Sequence, residues 1–454
     1  GQLIGWSAGI VLPRGSKGAL AVATDELRGR IGTVWDVSRT AVLFDIPRNS
    51  EQRFVLSVID QPGGNALDVI HPFTTSDYDP STGIFTHGIR ADWEPAKPRT
   101  HDPASGAYHW HVSGANGAGK SEGIENVLRQ TTQHGVVVPV FVDLGDLTYT
   151  DWEPYAPVME SAPLMGLRVL ENLCDLIRHR QKKMKMMRRF DADGIDIGVR
   201  RVYPISRTTP LIQLVFDEWH LLWANSVVIG PGRQDTIGSR ALAATAFIVG
   251  QGRKAMVSAL LATQSTSVTE GFGGSTYIRQ QCQAGNMIGY RNGSSAGGQA
   301  FGGEIVVDPS TIPRDRKGTC FMTSPVDARD AMARTIWVQE PMKLNDLIDI
   351  PTLPVDELVI LRRGLDEPAE PPPVEVKVQA LPEAKGPRGP SPELVFDVKQ
   401  FIEAQGTVRR QAVVDHFQEA GRGSSTAIDN ALKMLRQEKA VVSKGGTYAM
   451  KETR

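Results

Sequence analysis

Three groups of residues in this chain have the types and spacing to do chemistry together. Gly114, Ala115, Asn116, Gly117, Ala118, Gly119, Lys120 and Ser121 spell a complete G-x-x-x-x-G-K-[ST] loop. Its glycines let successive backbone N–H groups curl around phosphate oxygens. Lys120 reaches the β- and γ-phosphates, Ser121 offers a hydroxyl to Mg²⁺, and Glu122 completes the nucleotide-binding stretch. The second group is Asp217-Glu218, an acidic pair that ends the apolar run Leu211–Phe216. Asp217 is placed to hold Mg²⁺ with Ser121, and Glu218 to orient and activate a water. The third is Gln264, which follows Thr263 at the end of the apolar run Met256–Ala262 and is suited to sensing a γ-phosphate. The expected chemistry is hydrolysis of a nucleoside triphosphate, with ATP and Mg²⁺ bound. Lys120, Asp217, Glu218 and Gln264 form the expected catalytic set. His220 stands beside the acidic pair and is given no role, because a lone histidine near a cleft is more often structural.

These groups need strands and helices to hold them. Ala107–Val112 alternates in character and reads as a strand entering the loop. Beyond the loop, Ile124, Val127 and Leu128 share one face of a helix, so the loop sits at a helix N-terminus, where anions bind well. Val136–Val142 reads as a buried strand ending at Asp143. It is expected to be the extra strand between the loop strand and the Asp217-Glu218 strand. A long amphipathic helix follows, with Leu167, Leu170, Leu173, Cys174 and Ile177 on one stripe. It closes in a basic, Met-rich stretch, Arg178 to Arg189, which reads either as a DNA or subunit contact or as a solvated helix end.

The 454 residues suffice for two or three domains, and a net charge of −1 shows no global basic field. Cys174, Cys282 and Cys320 are widely spaced and show neither metal-ligand spacing nor a disulfide framework, which fits a reducing compartment. No apolar run reaches the roughly 18 residues of a membrane span, and no signal peptide is legible. The chain opens on Gly1 rather than Met, so an upstream membrane segment stays an open alternative.

Four regions separate. Residues 1–100 carry short β-rich runs, Thr40–Asp45 and Arg53–Ile59 among them, and a short helix at Asp25–Arg30. Residues 101–364 alternate strands and helices as in a parallel sheet covered by helices. Residues 365–390 are Pro-rich and read as an extended tether. Residues 391–454 read as three helices and a hairpin, with Thr407 capping the second helix and Val408, Ala412, Val413 and Phe417 inward. The expected fold class is α/β. A P-loop motor of RecA-like type, with an additional strand and a catalytic glutamate (ASCE), carries an N-terminal β-rich subdomain and a C-terminal winged helix.

A likeness to a known family rests on particular residues. Gly252-Arg-Lys-Ala255, leading into the strand that ends Ala262-Thr-Gln264, resembles the FtsK/SpoIIIE family. So do Asp79–Phe85, Arg90–Pro95 and Tyr108–Gly114 before the loop. Within that family the chain is similar to the TraB-type conjugation translocases of actinomycetes, which join such a motor to a C-terminal winged helix. The resemblance implies a hexameric ring with ATP sites between subunits. The ring would pump double-stranded DNA in conjugal plasmid transfer, in the cytoplasm at the inner face of the cell membrane. It also implies an arginine supplied by the neighbouring subunit, for which Arg279 and Arg291 are both candidates. The chain departs from the family at Trp219-His-Leu-Leu222 and at Ser265-Thr-Ser267, where relatives carry Arg-Pro-Ser. Gly230–Gln234 and Asn292–Gly298 are either pore loops or ordinary Gly-rich surface loops.

In a winged helix the third helix enters the major groove. On it Ser424, Ser425, Thr426, Asn430 and Lys433 are candidates to meet DNA, with Arg422 and Lys444 on phosphate. Small three-helix units also dock proteins, so that reading stays open. The alternatives for the whole chain are a chromosome-partitioning pump, a type VII-like secretion ATPase, or a DNA-binding regulator switched by ATP. A pure switch does not need Glu218, and secretion ATPases usually carry tandem motor domains.

Overall fold

Three apolar runs dictate the centre of the molecule. In the computed structural model, Val137–Asp143, Leu211–Asp217 and Val257–Thr263 are strands in which every residue is buried. Strands buried on both faces lose alternation of polarity and belong inside a parallel sheet. The structure describes residues 5–13, 22, 25–37, 42–45, 52–59, 66–91, 93–145, 148–190, 192–232, 234–265, 267–292, 301, 308–338, 348–365, 392–419, 425–437, 441–444 and 447–450. The chain divides into two units, Gly1–Glu370 and Pro371–Arg454.

In the first unit, β1 (Gly5–Val11), β2 (Val42–Asp45) and β3 (Arg53–Ile59) form an antiparallel sheet in the order β1-β3-β2. Val42, Phe44, Phe54 and Val58 make its core, and Leu27 and Ile31 of the helix Asp25–Trp35 pack against it. A second, ten-stranded sheet begins with β4 (Gly88–Arg90) and β5 (Pro95–Ala96). These two strands of the first hundred residues thus join the main sheet rather than the small one. The pair β6 (His101–Asp102) and β7 (Gly106–Ala107) follows as a hairpin of its own.

The main sheet continues with β8 (Trp110–Ser113), β9 (Val137–Asp143) and β10 (Met159–Glu160). Next, β11 (Arg188–Phe190) and β12 (Asp196–Val199) form a separate hairpin. Then come β13 (Leu211–Asp217), β14 (Val257–Thr263), β15 (Asn286–Tyr290), β16 (Thr319–Ser324) and β17 (Asp327–Thr335). The order is β10-β9-β13-β14-β8-β15-β16-β17-β4-β5. The six strands from β10 to β15 are parallel, and β16, β17, β4 and β5 add antiparallel pairs.

This order corrects one expectation. The strand between the loop strand β8 and the acidic strand β13 is β14, whereas β9 lies outboard of β13. The chain order suggested otherwise, but β14 is the strand whose ladder runs to both β8 and β13.

The period of two along each strand sorts side chains to two faces. Val138, Val140, Val142, Ile212, Leu214 and Phe216 meet the stripe Leu167, Leu170, Leu173, Cys174 and Ile177 of the helix Pro163–Met186. Phe141, Val215, Leu260 and Val112 meet Ile124, Val127 and Leu128 of the helix Lys120–Thr131 on the other face. Of the basic stretch, residues 178–186 are the end of this helix, with Met184 buried and Lys182, Lys185 and Met186 exposed, while Arg188 and Arg189 open the β11–β12 hairpin. Arg180 within that helix is fully buried and pairs with Glu357 at 2.7 Å, fastening the helix Val355–Arg362.

The second unit has its own core of Val398, Ile402, Val413, Phe417, Ile428, Leu432 and Leu435. Helices Pro392–Gln405, Arg410–Glu419 and Ser425–Gln437 combine with β18 (Thr407–Arg409), β19 (Val441–Lys444) and β20 (Thr447–Met450) in a sheet ordered β18-β20-β19. Thr407 does not cap a helix. It opens a strand in which only Val408 is buried, so a period of two wins over the capping signal until Arg410. Ala412 is exposed, and Val414 takes the inward place expected for it. Of the tether 365–390, residues 366–390 lie outside the described residues. Among the described residues no helix is long and apolar enough to cross a membrane.

Candidate functional site

The loop Gly114–Ser121 leaves β8 and enters the helix that starts at Lys120. Gly117 (φ 73°) and Gly119 (φ 112°) adopt left-handed conformations that side chains rarely tolerate, which explains glycine at both. The loop is tied to its surroundings through the backbone. Gly114 N–H donates to Thr263 O at 3.2 Å, Ala115 N–H to Arg291 O at 2.9 Å, and Gly318 N–H to Ala118 O at 3.0 Å. The helix behind it packs tightly on β15: a Cβ at Gly123 would fall 1.8 Å from the Tyr290 hydroxyl, which itself bonds Thr335 Oγ1 at 2.9 Å.

Strand order then brings the acidic pair to the loop. Lys120 Nζ donates to Asp217 Oδ1 and to Glu218 Oε1, each at 2.7 Å, and Lys120 and Asp217 are buried. Glu218 sits at φ 49°, a left-handed conformation uncommon outside glycine that aims its carboxylate back at the loop. His220 Nδ1 lies 3.1 Å from Glu218 Oε2, at ion-pair range without hydrogen-bond alignment. His220 first, and then Lys120, hold the Glu218 carboxyl at about 2, against the opposing effect of burial. Asp143 ends β9 directly opposite Asp217 in the β9–β13 register. Burial, and then the charge of Asp217, raise its carboxyl above the ordinary range. The buried phenol of Tyr149 is pushed well up by burial and by Asp217.

A cavity of about 780 Å³ opens over these groups. Ala115, Asn116, Gly117, Gly119, Lys120, Ser121 and Glu122 of the loop region line it, as do Asp217, Glu218 and Gln264. Gly114 and Ala118 belong to the loop but do not line the cavity. The structure therefore brings the three sequence-read groups into one place.

It also adds groups to which the sequence analysis assigns no role. His220 and Thr148 line the cavity near the acidic pair, while Lys317, Arg334 and Trp337 line it from β16, β17 and their neighbours. These residues are far from the loop in sequence and carry no local motif. The one available signal was His220, two residues after Glu218.

Arg279 and Arg291 do not line this cavity. Arg279 lies on the helix Thr276–Gln283, and the Arg291 backbone is bonded to the chain's own loop at Ala115. Among the described residues no group of three or more His, Cys, Asp or Glu side chains is disposed to cage a metal. Ser121 and Asp217 are hard oxygen donors at the loop. They fit Mg²⁺, which takes one or two protein oxygens and otherwise water and phosphate.

Of the DNA candidates, Thr426, Asn430 and Lys433 fall within the helix Ser425–Gln437, and Lys433 is exposed. Ser425 begins that helix and Lys444 ends β19. Arg422 and Ser424, the side chains of Ser425, Thr426, Asn430 and Lys444, and loop residues 233 and 293–298 lie outside the described residues.

No protein-family model matches the chain, and no curated protein matches it. Among solved structures it is similar to the pCW3 conjugation coupling protein TcpA, monomer form with ATPγS. The TM-score is 0.50 at 13% identity, over 79% of this chain and 94% of that one. It is also similar to the cytoplasmic domain of the Thermomonospora curvata type VII secretion ATPase EccC (TM-score 0.42, 17% identity), covering 67% of this chain and 33% of that one. A third likeness is to EssC, ATPases 2 and 3, from Geobacillus thermodenitrificans (TM-score 0.41, 10% identity), over 65% of this chain and 51% of that one. The chain thus spans a third to a half of these two secretion ATPases. The TcpA likeness shows a shared fold: a mixed α/β architecture around a mostly parallel central sheet.

Proposed function

We propose that the chain is an ATP-driven translocase of double-stranded DNA in the FtsK/SpoIIIE family, of TraB type, working as a hexamer in conjugal plasmid transfer at the cell membrane. The observation that carries the catalytic part is the convergence of Lys120, Asp217 and Glu218 on a single complete phosphate loop, with contacts of 2.7 Å. In this reading backbone N–H groups of Asn116 to Lys120 bind phosphate. Lys120 exchanges its carboxylate partners for phosphate oxygens, and Glu218 then takes a proton from the attacking water. Gln264 reports the γ-phosphate. Ser121 and Asp217 would hold Mg²⁺, which supplies charge neutralisation on the phosphates. Arg279 and Arg291 remain the candidates for a group that acts across a subunit boundary.

The DNA part rests on the second unit. Its order of helix, short strand, helix, helix and hairpin supports a winged helix, with Ser425–Gln437 as the helix that reads a plasmid loading sequence. The fold likeness to a conjugation coupling protein agrees with this reading.

Hydrolysis measured with and without duplex DNA tests the proposal. Duplex DNA should stimulate phosphate release, and removal of residues 391–454 should erase preference for particular sequences while leaving release intact. Hydrolysis indifferent to DNA, or stimulated only by a peptide, contradicts it.

A further inference from the structure

The cavity over Lys120 has a direction, set by the order of the strands beneath it. β13 with Glu218 and β14 with Gln264 lie on one side of the loop strand β8, and β15, β16 and β17 lie on the other. If the proposed hydrolysis is correct, the reacting phosphate belongs on the first side, and the rest of the nucleotide extends over the second. There Ile70, Ile336 and Trp337 line the cavity beside Lys317 and Arg334, whereas on the first side Leu221 is the large apolar lining residue.

Two of these are large apolar side chains held open to water. Trp337 is 40% exposed and Ile70 54%. Their backbone is not free to bury them. Trp337 N–H donates to His71 O, and Phe73 N–H to Trp337 O, both at 2.8 Å. One step back, Ile336 N–H donates to His87 O at 3.0 Å and Thr335 N–H to Gly318 O at 2.9 Å. Gly318 in turn bonds Ala118 in the phosphate loop. The backbone that carries the indole is thus tied to the loop through a short chain of hydrogen bonds, and the indole itself is exposed. An apolar surface kept open inside a cavity otherwise built for phosphate is the usual construction of a site for the apolar part of a ligand. Arg334, half-buried, also lines the cavity; among the described residues it has no ion-pair partner, and its side chain reaches Thr319 Oγ1 at 3.4 Å.

We propose that Trp337, with Ile70 beside it, is the stacking platform for the purine base of the nucleotide whose phosphates the Gly114–Ser121 loop binds. The platform supplies affinity for the base and takes no part in the cleavage step. The proposal rests on the nucleotide reading of the loop, and the test separates the two.

The test is titration calorimetry of the full chain with ATPγS and with inorganic triphosphate, both with Mg²⁺. Wild type should bind ATPγS more tightly than triphosphate. Trp337→Ala should weaken ATPγS about tenfold or more, the range seen when a base loses an aromatic partner, while triphosphate changes less than twofold. Trp337→Phe should retain most of the ATPγS affinity, which excludes a folding defect. Unchanged ATPγS binding in Trp337→Ala overturns the platform and leaves the loop reading standing. Equal loss of both ligands also overturns it, because Trp337 then merely supports the loop. If wild type binds triphosphate as tightly as ATPγS, the base has no site here. If wild type binds neither, the nucleotide reading fails and the platform with it.

Discussion

Lys120 Nζ and Glu218 Oε1 stand 2.7 Å apart, and the same ammonium stands 2.7 Å from Asp217 Oδ1. One cation thus serves both carboxylates, and in the proposed function phosphate oxygens compete with them for it. The proposed function thereby links nucleotide binding to the basicity of Glu218. In that reading, as Lys120 turns to phosphate, Glu218 keeps His220, the larger of the two influences that hold its carboxyl at about 2, and loses the smaller. In the proposed function it thereby becomes the stronger base when nucleotide is bound.

This linkage separates two substitutions. Glu218→Gln frees Lys120 from one carboxylate, so ATP affinity should equal or exceed that of wild type while turnover falls about a hundredfold or more. Lys120→Ala should lose at least about tenfold in ATP affinity as well as turnover. Calorimetry and phosphate release measure the two quantities. Weaker ATP binding in Glu218→Gln would show that the carboxylate serves binding rather than catalysis.

The loop geometry makes a second claim. Gly119 has φ 112°, and a Cβ there would lie 2.8 Å from the Gly318 backbone. Gly119→Ala should therefore cost about 1–3 kcal/mol in backbone strain alone and displace the loop from β16. Urea unfolding should show the lower stability, and ATP binding should fall with it. A variant with unaltered stability and affinity would mean that the loop relaxes without Gly119.

Acid should unfold this protein through its histidines. Burial holds His87 and His111 at about 3, and His101 and His109 at about 4, against an ordinary value of 6.5. The unfolded chain takes up protons as pH falls through 6.5, while the folded chain refuses them until about 4. The stability these neutral rings contribute is complete above 6.5 and is lost as pH falls toward their folded values. At pH 5 the slope of unfolding free energy against pH should correspond to about four protons from this group, and His111→Gln should lower it by about one. A flat slope between pH 6.5 and 5 would show that these rings protonate freely in the fold.

The site was legible where chemistry is written in consecutive residues and obscure where the sheet assembles it. Gly114–Ser121 lies between a strand and a helix as its neighbours imply, and Asp217-Glu218 ends a strand because an apolar run stops there. The lateral order of strands is not local, so the run Val136–Val142 lies on the other side of the acidic strand from the one its place in the chain suggests. For the same reason Trp337, Arg334 and Lys317 carried no signal: they reach the cavity through β16 and β17, whose register with β15 and β4 no sequence window contains. Thr407 failed differently. Its capping chemistry is real, but pairing with Ala449 decides the local conformation.

The central claim is movement along DNA powered at Glu218. The direct measurement is displacement of a triplex-forming strand from the far end of a linear duplex, followed in time with ATP and Mg²⁺. The account predicts displacement that requires ATP, is absent with ATPγS, and is abolished in Glu218→Gln although that variant binds ATP. Brisk DNA-stimulated hydrolysis with no displacement, or displacement that persists in Glu218→Gln, would contradict it.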